Sequence, residues 1–307
     1  MRRGGARCGR AESGNANVAE LLQFLFSGLT VGATYALVAL GFAIIYNASG
    51  VINFAQGEFV MAGGMASAFL VAAGVPLPLA VAIAVAVGGA LGLALEKLAI
   101  EPARGAPVVT LIIITIGASI AIRGVAQLLL GKQFHTVPPF SGDQPIPIAG
   151  ATLLPQSLWV MGASVVIVLA LGRFFGHTLL GKAMLATANN RNAAQLVGIN
   201  VRLILLLSFG LSALLGAMAG VLISPITLTS FDVGIMLGLK GFAAAMLGGL
   251  GNGAGAIAGG LLLGLAEAFG AGYLSSAYKD VIAFVVILVV LVFLPGGLFG
   301  KASAERV

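Results

Sequence analysis

Apolar residues in this chain run in long blocks rather than alternating, and nine such blocks are visible: Leu21–Tyr46, Val51–Gly74, Leu77–Leu95, Val108–Leu130, Leu158–Phe174, Leu203–Leu222, Val233–Leu250, Ala254–Phe269 and Val281–Phe293. Most approach the ~20 residues that an α-helix needs to cross hydrocarbon. The last three are short enough to be extended or partly re-entrant. The second block opens on Asn53, Gln56 and Glu58, so its first turn is polar. The pattern predicts an all-α polytopic membrane protein of nine spans, or of eight if that polar start keeps the second block from crossing.

Composition agrees: 59% of the 307 residues are hydrophobic and 8% charged, where soluble domains carry about 25% charge. The mean hydropathy is +1.09. The net charge of +6 suits loops facing anionic lipid, and no aromatic-interleaved basic patch points to nucleic acid. A single cysteine, Cys8, excludes an internal disulfide. Residues 1–18 are polar, Gly-rich and arginine-bearing and read as a disordered basic tail; residues 19–300 read as the membrane domain, and 301–307 as a C-terminal tail.

Two polar stretches separate the blocks most widely. Residues 131–156 hold Pro138, Pro139, Pro145, Pro147 and Pro155, which break any helix. Residues 175–202 hold Lys182 and Arg191, and no Asp or Glu occurs between Asp143 and Asp232. The positive-inside rule puts this loop and 96–106 in the cytoplasm and the Pro-rich loop outside. Nine spans then place the C-terminus, with Lys301 and Arg306, inside and the N-terminus outside, against the charge of the four tail arginines. Lys182–Val197 favours a short helix with Gly198 just past its end, so the protein presents a helical knob to the cytoplasm.

Glycines recur four apart: Gly28 and Gly32, Gly88 and Gly92, Gly234 and Gly238, Gly251 and Gly255, Gly260 and Gly264. They predict tight helix packing inside the chain rather than a subunit interface. The first two blocks, joined through Asn53-Phe54 and a Gly-rich segment, are echoed by the sixth and seventh, joined through Phe231-Asp232 and another. Five spans is an odd offset, so the copies run in opposite directions, as inverted repeats do.

Ionisable residues at membrane depth are costly and therefore candidates for function. Here they are Glu58, Arg123, Asp232, Lys240 and Glu267. Asn53, Gln56 and Glu58 are the expected polar lining of a solute path, with Asp232, Lys240 and Glu267 as further path candidates. The competing reading is that these charges sit near headgroups or snorkel to them, and for Arg123 that reading fits better. Tyr35 falls mid-span and needs a packed or polar neighbour.

His135 and His177 lie on opposite predicted sides, so no metal site is expected, and no cofactor is implied. GLGNGAGAIAGG lacks the lysine and strand context of a phosphate loop, and no G-x-S-x-G appears. No series of intramembrane carboxylates suggests proton coupling. A transporter with no visible energy source of its own but with a helical knob implies an external motor.

The stretches GLTVGATYALVALGFAIIYNASGVINFAQGEFVMAGG, LGKAMLATANNRNAAQLVGIN and KGFAAAMLGGLGNGAGAIAGGLLLGLAEAF, followed by LPGGLFG, resemble the LivH-type permeases of ABC importers for branched-chain amino acids, from about Leu21 to Gly300. The resemblance implies a multi-pass subunit of the bacterial inner membrane, not itself an enzyme. Its implied partners are a second related permease, two ATP-binding subunits and a periplasmic binding protein. It also implies that the knob is the ATPase-coupling segment, at Gly181, Ala186, Ala188, Ala194, Gly198, Ile199 and Asn200. Leu185 and Asn189-Asn190 depart from the family's usual arginine and acidic pair. Related permeases carrying urea or short amides are the near alternative; a stand-alone secondary transporter or channel, or a membrane scaffold, are the remote ones.

Overall fold

The computed structural model describes residues 8–294 and 296–300, with side chains from Val18 onward. Eleven α-helices follow one another: α1 Cys8–Ser49, α2 Gln56–Ala72, α3 Leu77–Leu95, α4 Val108–Leu130, α5 Pro155–His177, α6 Leu179–Asn189, α7 Arg191–Leu196, α8 Val201–Ile223, α9 Val233–Gly248, α10 Gly253–Tyr273 and α11 Lys279–Phe293. A π-helical turn, Glu96–Ile100, extends α3, and β1 Ile146–Ile148 pairs with β2 Ala151–Leu153 in the Pro-rich loop. α1 already covers Cys8 onward within the stretch expected to be tail. Residues 1–7, Pro295 and the tail at 301–307, with Lys301 and Arg306, lie outside the described residues.

All nine apolar blocks are helical. Among the described residues seven helices have the length and composition to cross a membrane. The other two blocks form α2 with 17 residues and α9 with 16; α11 has 15 and reaches 18 with the single turn Ser276–Tyr278 before it. The eighth block, expected to be short, instead forms the 21-residue α10.

Contacts at the helix ends give each segment a direction. The start of α1 meets the β-hairpin, where Gln23 Oε1 accepts from Thr152 N at 2.8 Å. Its far end meets the knob, where Arg191 donates to the Ala48 carbonyl at 2.6 Å. The bundle therefore has a hairpin end and a basic end, and the nine long or short helices run alternately between them.

α1 and α8 are the most buried spans and cross at the centre. α1 packs along α10 and α8 along α3; α2 lies on α8 and α3, as α9 lies on α1 and α10. Exchanging α1–α4 with α8–α11 reproduces this pattern with directions reversed, which is the inverted repeat that the sequence echo predicted. The paired glycines serve this packing: Gly260 and Gly264 lie on Ala36 and Gly32, and Gly88 and Gly92 on Ala217 and Ala213.

Neither α2 nor α9 starts at a membrane face. After α1 the chain turns back through residues 50–55, and α2 begins beside Gly41, about 12 Å inside the end of α1 at 1.5 Å per residue. Residues 224–232 likewise descend from the hairpin end past Gly64, and α9 begins at the level of Gly57. The two helix starts cross there. A Cβ on Gly57 would strike the Gly234 carbonyl, and one on Gly234 would strike the Gly57 carbonyl. Only glycine at both positions permits this approach.

The knob differs from expectation. Its helix is broken at Asn190, whose side chain accepts from Ala193 N at 3.0 Å and so caps a second, shorter helix. Gly198 follows α7 with φ +86°, the left-handed turn that its sequence position suggested.

Replacing Gly57 or Gly234 by leucine is expected to lower stability by about 1–3 kcal/mol through overpacking. The purified protein's melting temperature should fall for both. Gly162→Leu, where nothing lies within 4 Å of an added Cβ, should leave it unchanged.

Candidate functional site

Most of the candidate polar residues of the membrane interior gather in two clusters, and the knob is a third candidate region. The first cluster surrounds the start of α2. Asn53 Oδ1 accepts from Ala55 N at 3.1 Å, and Phe54 N donates to Thr115 Oγ1 at 3.2 Å. Gln56 is fully buried where α1, α2 and α8 meet. Its amide donates to the Ser212 carbonyl at 3.1 Å, and its Oε1 lies 2.7 Å from the Ser212 hydroxyl, which also reaches the Gly41 carbonyl at 2.8 Å. Asn53 and Thr115 thus pair backbone groups that the interrupted helix leaves free, while Gln56 ties the start of α2 to α8.

Glu58, in the first turn of α2, accepts from Ser119 Oγ at 2.8 Å and lies 3.7 Å from Arg123 Nε, both on α4. The α2 N-terminus adds a favourable partial charge. Arg123 therefore does not turn to the headgroups, the reading that the sequence favoured; it faces Glu58. Asn53 Nδ2 and Glu58 Oε2 are buried without a partner, so this cluster keeps unused hydrogen-bonding capacity.

The second cluster joins α1, α9, α10 and α11 toward the hairpin end. Glu267 Oε2 accepts from the Tyr35 hydroxyl at 2.8 Å, and Oε1 lies 3.0 Å from both Lys240 Nζ and Lys279 Nζ. Lys240 also pairs with Asp280 and lies over the Tyr35 ring at 5.7 Å. Lys279 and Asp280 are exposed, and with them the two cations and two carboxylates balance, which lets Lys240 and Glu267 be buried. Tyr35 finds here the polar neighbour that its mid-span position required. Asp232 joins neither cluster; it is exposed and contacts Ser230. The six path candidates are thus divided among three places.

A cavity of about 310 Å³ adjoins the second cluster, lined by Phe24, Val31, Ala268, Glu267 and Lys279 among others. A larger one, about 890 Å³, opens at the basic end between α1, α5, α6 and the α9–α10 turn, with Ile44, Leu171, Phe175, Met184, Leu250 and Phe299 in its wall.

In the knob, Gly181 abuts the Phe174 carbonyl and Phe175 backbone, where a Cβ would clash, so α6 can fold sharply back from α5. Ala194 is buried with Ala48, Val201 and Leu205, and Ile199 packs on the same group. Asn200 caps α8 by accepting from Leu203 N at 3.2 Å. Ala186 is half-buried, and Ala188 is exposed at the wall of the larger cavity. Partial burial, and then the charge of Arg104, push the Arg191 guanidinium below its usual value. The positions taken from the family resemblance mostly shape the knob. Its open face comes from residues that the sequence reading passed over: Leu179, Leu196 and Val197 are 87%, 88% and 77% exposed. The signal was present as two adjacent apolar residues directly before the helix-ending glycine.

Removing Lys240 alone (Lys240→Met) leaves Glu267 short of a buried partner and is expected to cost about 3 kcal/mol, while Lys240→Met with Glu267→Leu should regain part of that loss. Thermal denaturation of the single and double variants measures the difference.

The sequence profile described as "Branched-chain amino acid transport system / permease component" matches residues 24–291. The chain is 35% identical over 302 residues to the high-affinity branched-chain amino acid transport system permease protein LivH of Escherichia coli K12, covering 93% of this chain and 97% of LivH. It is 35% identical over 300 residues to BraD of Pseudomonas aeruginosa, a protein of the same description, covering 93% and 98%. More distantly, it is 29% identical over 277 residues to the ribose import permease protein RbsC of E. coli K12, covering 86% and 83%.

Proposed function

We propose, from the premise that this chain belongs to the branched-chain amino acid transport permease family, that it is the membrane-spanning subunit of an ABC importer for branched-chain and similar apolar amino acids. The near full-length identity to LivH and BraD carries this reading. The chain forms a solute path and hydrolyses no ATP itself. It works in the bacterial inner membrane with a second, related permease, two ATP-binding subunits and a periplasmic binding protein. The knob faces the cytoplasm and receives the motor's motion.

The exposed Leu196 and Val197 support that role, since an apolar patch on a polar loop is the usual mark of a protein partner. Gly198 and Asn200 hold the turn from which that patch projects. The knob is fixed to the ends of α1 and α8 through Ala194 and Arg191, so a displacement of α6–α7 moves the two central helices. Binding of ATP drives alternating access only if the motor grips two permease conformations with different affinity. Asn53, Gln56, Glu58, Asp232, Lys240 and Glu267 remain the proposed polar groups along or beside the path. Solute selection rests mainly with the binding protein.

The test uses the complex purified through a C-terminal tag and reconstituted in liposomes. ATP-dependent uptake of leucine, with urea and acetamide excluded, is the expected result. Leu196→Asp with Val197→Asp should reduce co-purified ATP-binding subunit by roughly tenfold or more, because losing two interface anchors costs at least ~1.4 kcal/mol. A chain that purifies alone and moves solute without ATP overturns the reading.

A further inference from the structure

Two buried glutamates occupy related places in the two repeats. Glu96 stands where α3 passes into its π-helical turn and is 0% exposed; Glu267 stands in the last two turns of α10 and is 1% exposed. The exchange of α3 with α10 puts them at opposite ends of the bundle, Glu96 at the basic end and Glu267 at the hairpin end. Each takes a cation from at or just before the start of the next helix. Arg104 Nη2 pairs with Glu96 Oε1, and Lys279, the first residue of α11, pairs with Glu267 Oε1 at 3.0 Å.

The helices that follow are the loosely held ones. Only Leu111, Thr115 and Ser119 of α4 are buried, and only Ala283 and Ile287 of α11. With so little apolar area against the bundle, an ion pair at the root of each helix has a large say in where that end lies. Such a pair adds little net stability over an apolar contact, but it fixes one geometry. The hairpin-end pair is saturated by Tyr35 and Lys240, whereas the basic-end pair leaves Glu96 Oε2 and Arg104 Nε buried without partners. The two contacts are thus alike in placement and unequal in how fully their polar atoms are paired.

We propose that Glu96–Arg104 and Glu267–Lys279 are paired positioning contacts for transport, each holding the fourth helix of its repeat against the bundle at one end of the membrane. The Glu96–Arg104 contact opposes opening at the basic end, and the Glu267–Lys279 contact opposes opening at the hairpin end. Alternation of access is alternation in which of the two is released. This rests on the transport reading above.

The experiment labels single cysteines in the assembled complex in nanodiscs, in a Cys8→Ser background. The buried reporters are Ile100→Cys at the basic end and Ala283→Cys near the hairpin end of α11. Arg104→Gln is expected to speed maleimide labelling at position 100 by roughly fivefold, the low end of conformational coupling, and not at position 283. Lys279→Gln is expected to do the reverse, and Arg104→Lys, which keeps the charge, to stay near the parent rate. Equal acceleration of both reporters by either variant means general loosening and overturns the proposal. So does no change in a variant that assembles normally. If one variant fails to assemble, the other with its two reporters decides alone. Labelling requires no solute movement, so a negative uptake assay refutes the importer reading separately.

Discussion

The reciprocal approach of Gly57 and Gly234 is the contact on which the rest of this bundle depends. In hydrocarbon, backbone N–H and C=O groups must be paired within the protein, so a helix cannot simply begin halfway across. Here two do. The freed groups at the start of α2 are taken up by Ser49, Asn53 and Thr115, while Gln56 bridges to α8. Residues 224–232 are pinned by the two backbone hydrogen bonds between His135 and Thr229, each 2.9 Å. Bringing the two starts together buries both breaks at the centre of the molecule, away from lipid. Any side chain at either glycine would push them apart and expose what the crossing hides.

The polar start of α2 has a structural job, whatever part it takes in the proposed solute path. Asn53 gives its oxygen to backbone and keeps its amide nitrogen unpartnered, while Gln56 is engaged at the α1–α8 crossing. Glu58 and Arg123, by contrast, are only partly engaged at 3.7 Å, and one Glu58 oxygen has no partner. That difference ranks the candidates for contact with a solute: Glu58 and Asn53 each hold an atom without a partner, whereas both polar atoms of Gln56 are engaged.

Much of the architecture was legible in the chain itself. Blocks of apolar residues mark helices because the 3.6-residue turn satisfies every backbone group locally, and all nine blocks formed helices. The echo around Asn53 and Asp232 disclosed the inverted repeat, since the offset of spans fixes direction. The knob's glycine was readable because a left-handed residue after a helix has few alternatives to glycine. The charge partners were not legible: Glu58 meets Arg123 across 65 residues, and Tyr35 meets Glu267 across 232. Pairing at that separation is set by which helices become neighbours, which no local pattern encodes. The break at Asn190 was missed for a different reason. Asparagine is compatible with a helix interior, and only its cap on Ala193 shows that it starts a new one.

The separation between those partners also governs how the protein is made. Gln56 and Ser212 are 156 residues apart, so at about 5–20 residues per second the first waits roughly 8–30 s for the second to be synthesised. During that interval Glu58 and the backbone at the start of α2 can already pair within the first half, but Gln56 has no Ser212 and the packing face of α2 has no α8. The packing of α2 is therefore completed only when α8 and α9 emerge. Folding of this permease is in that sense an event of its last hundred residues.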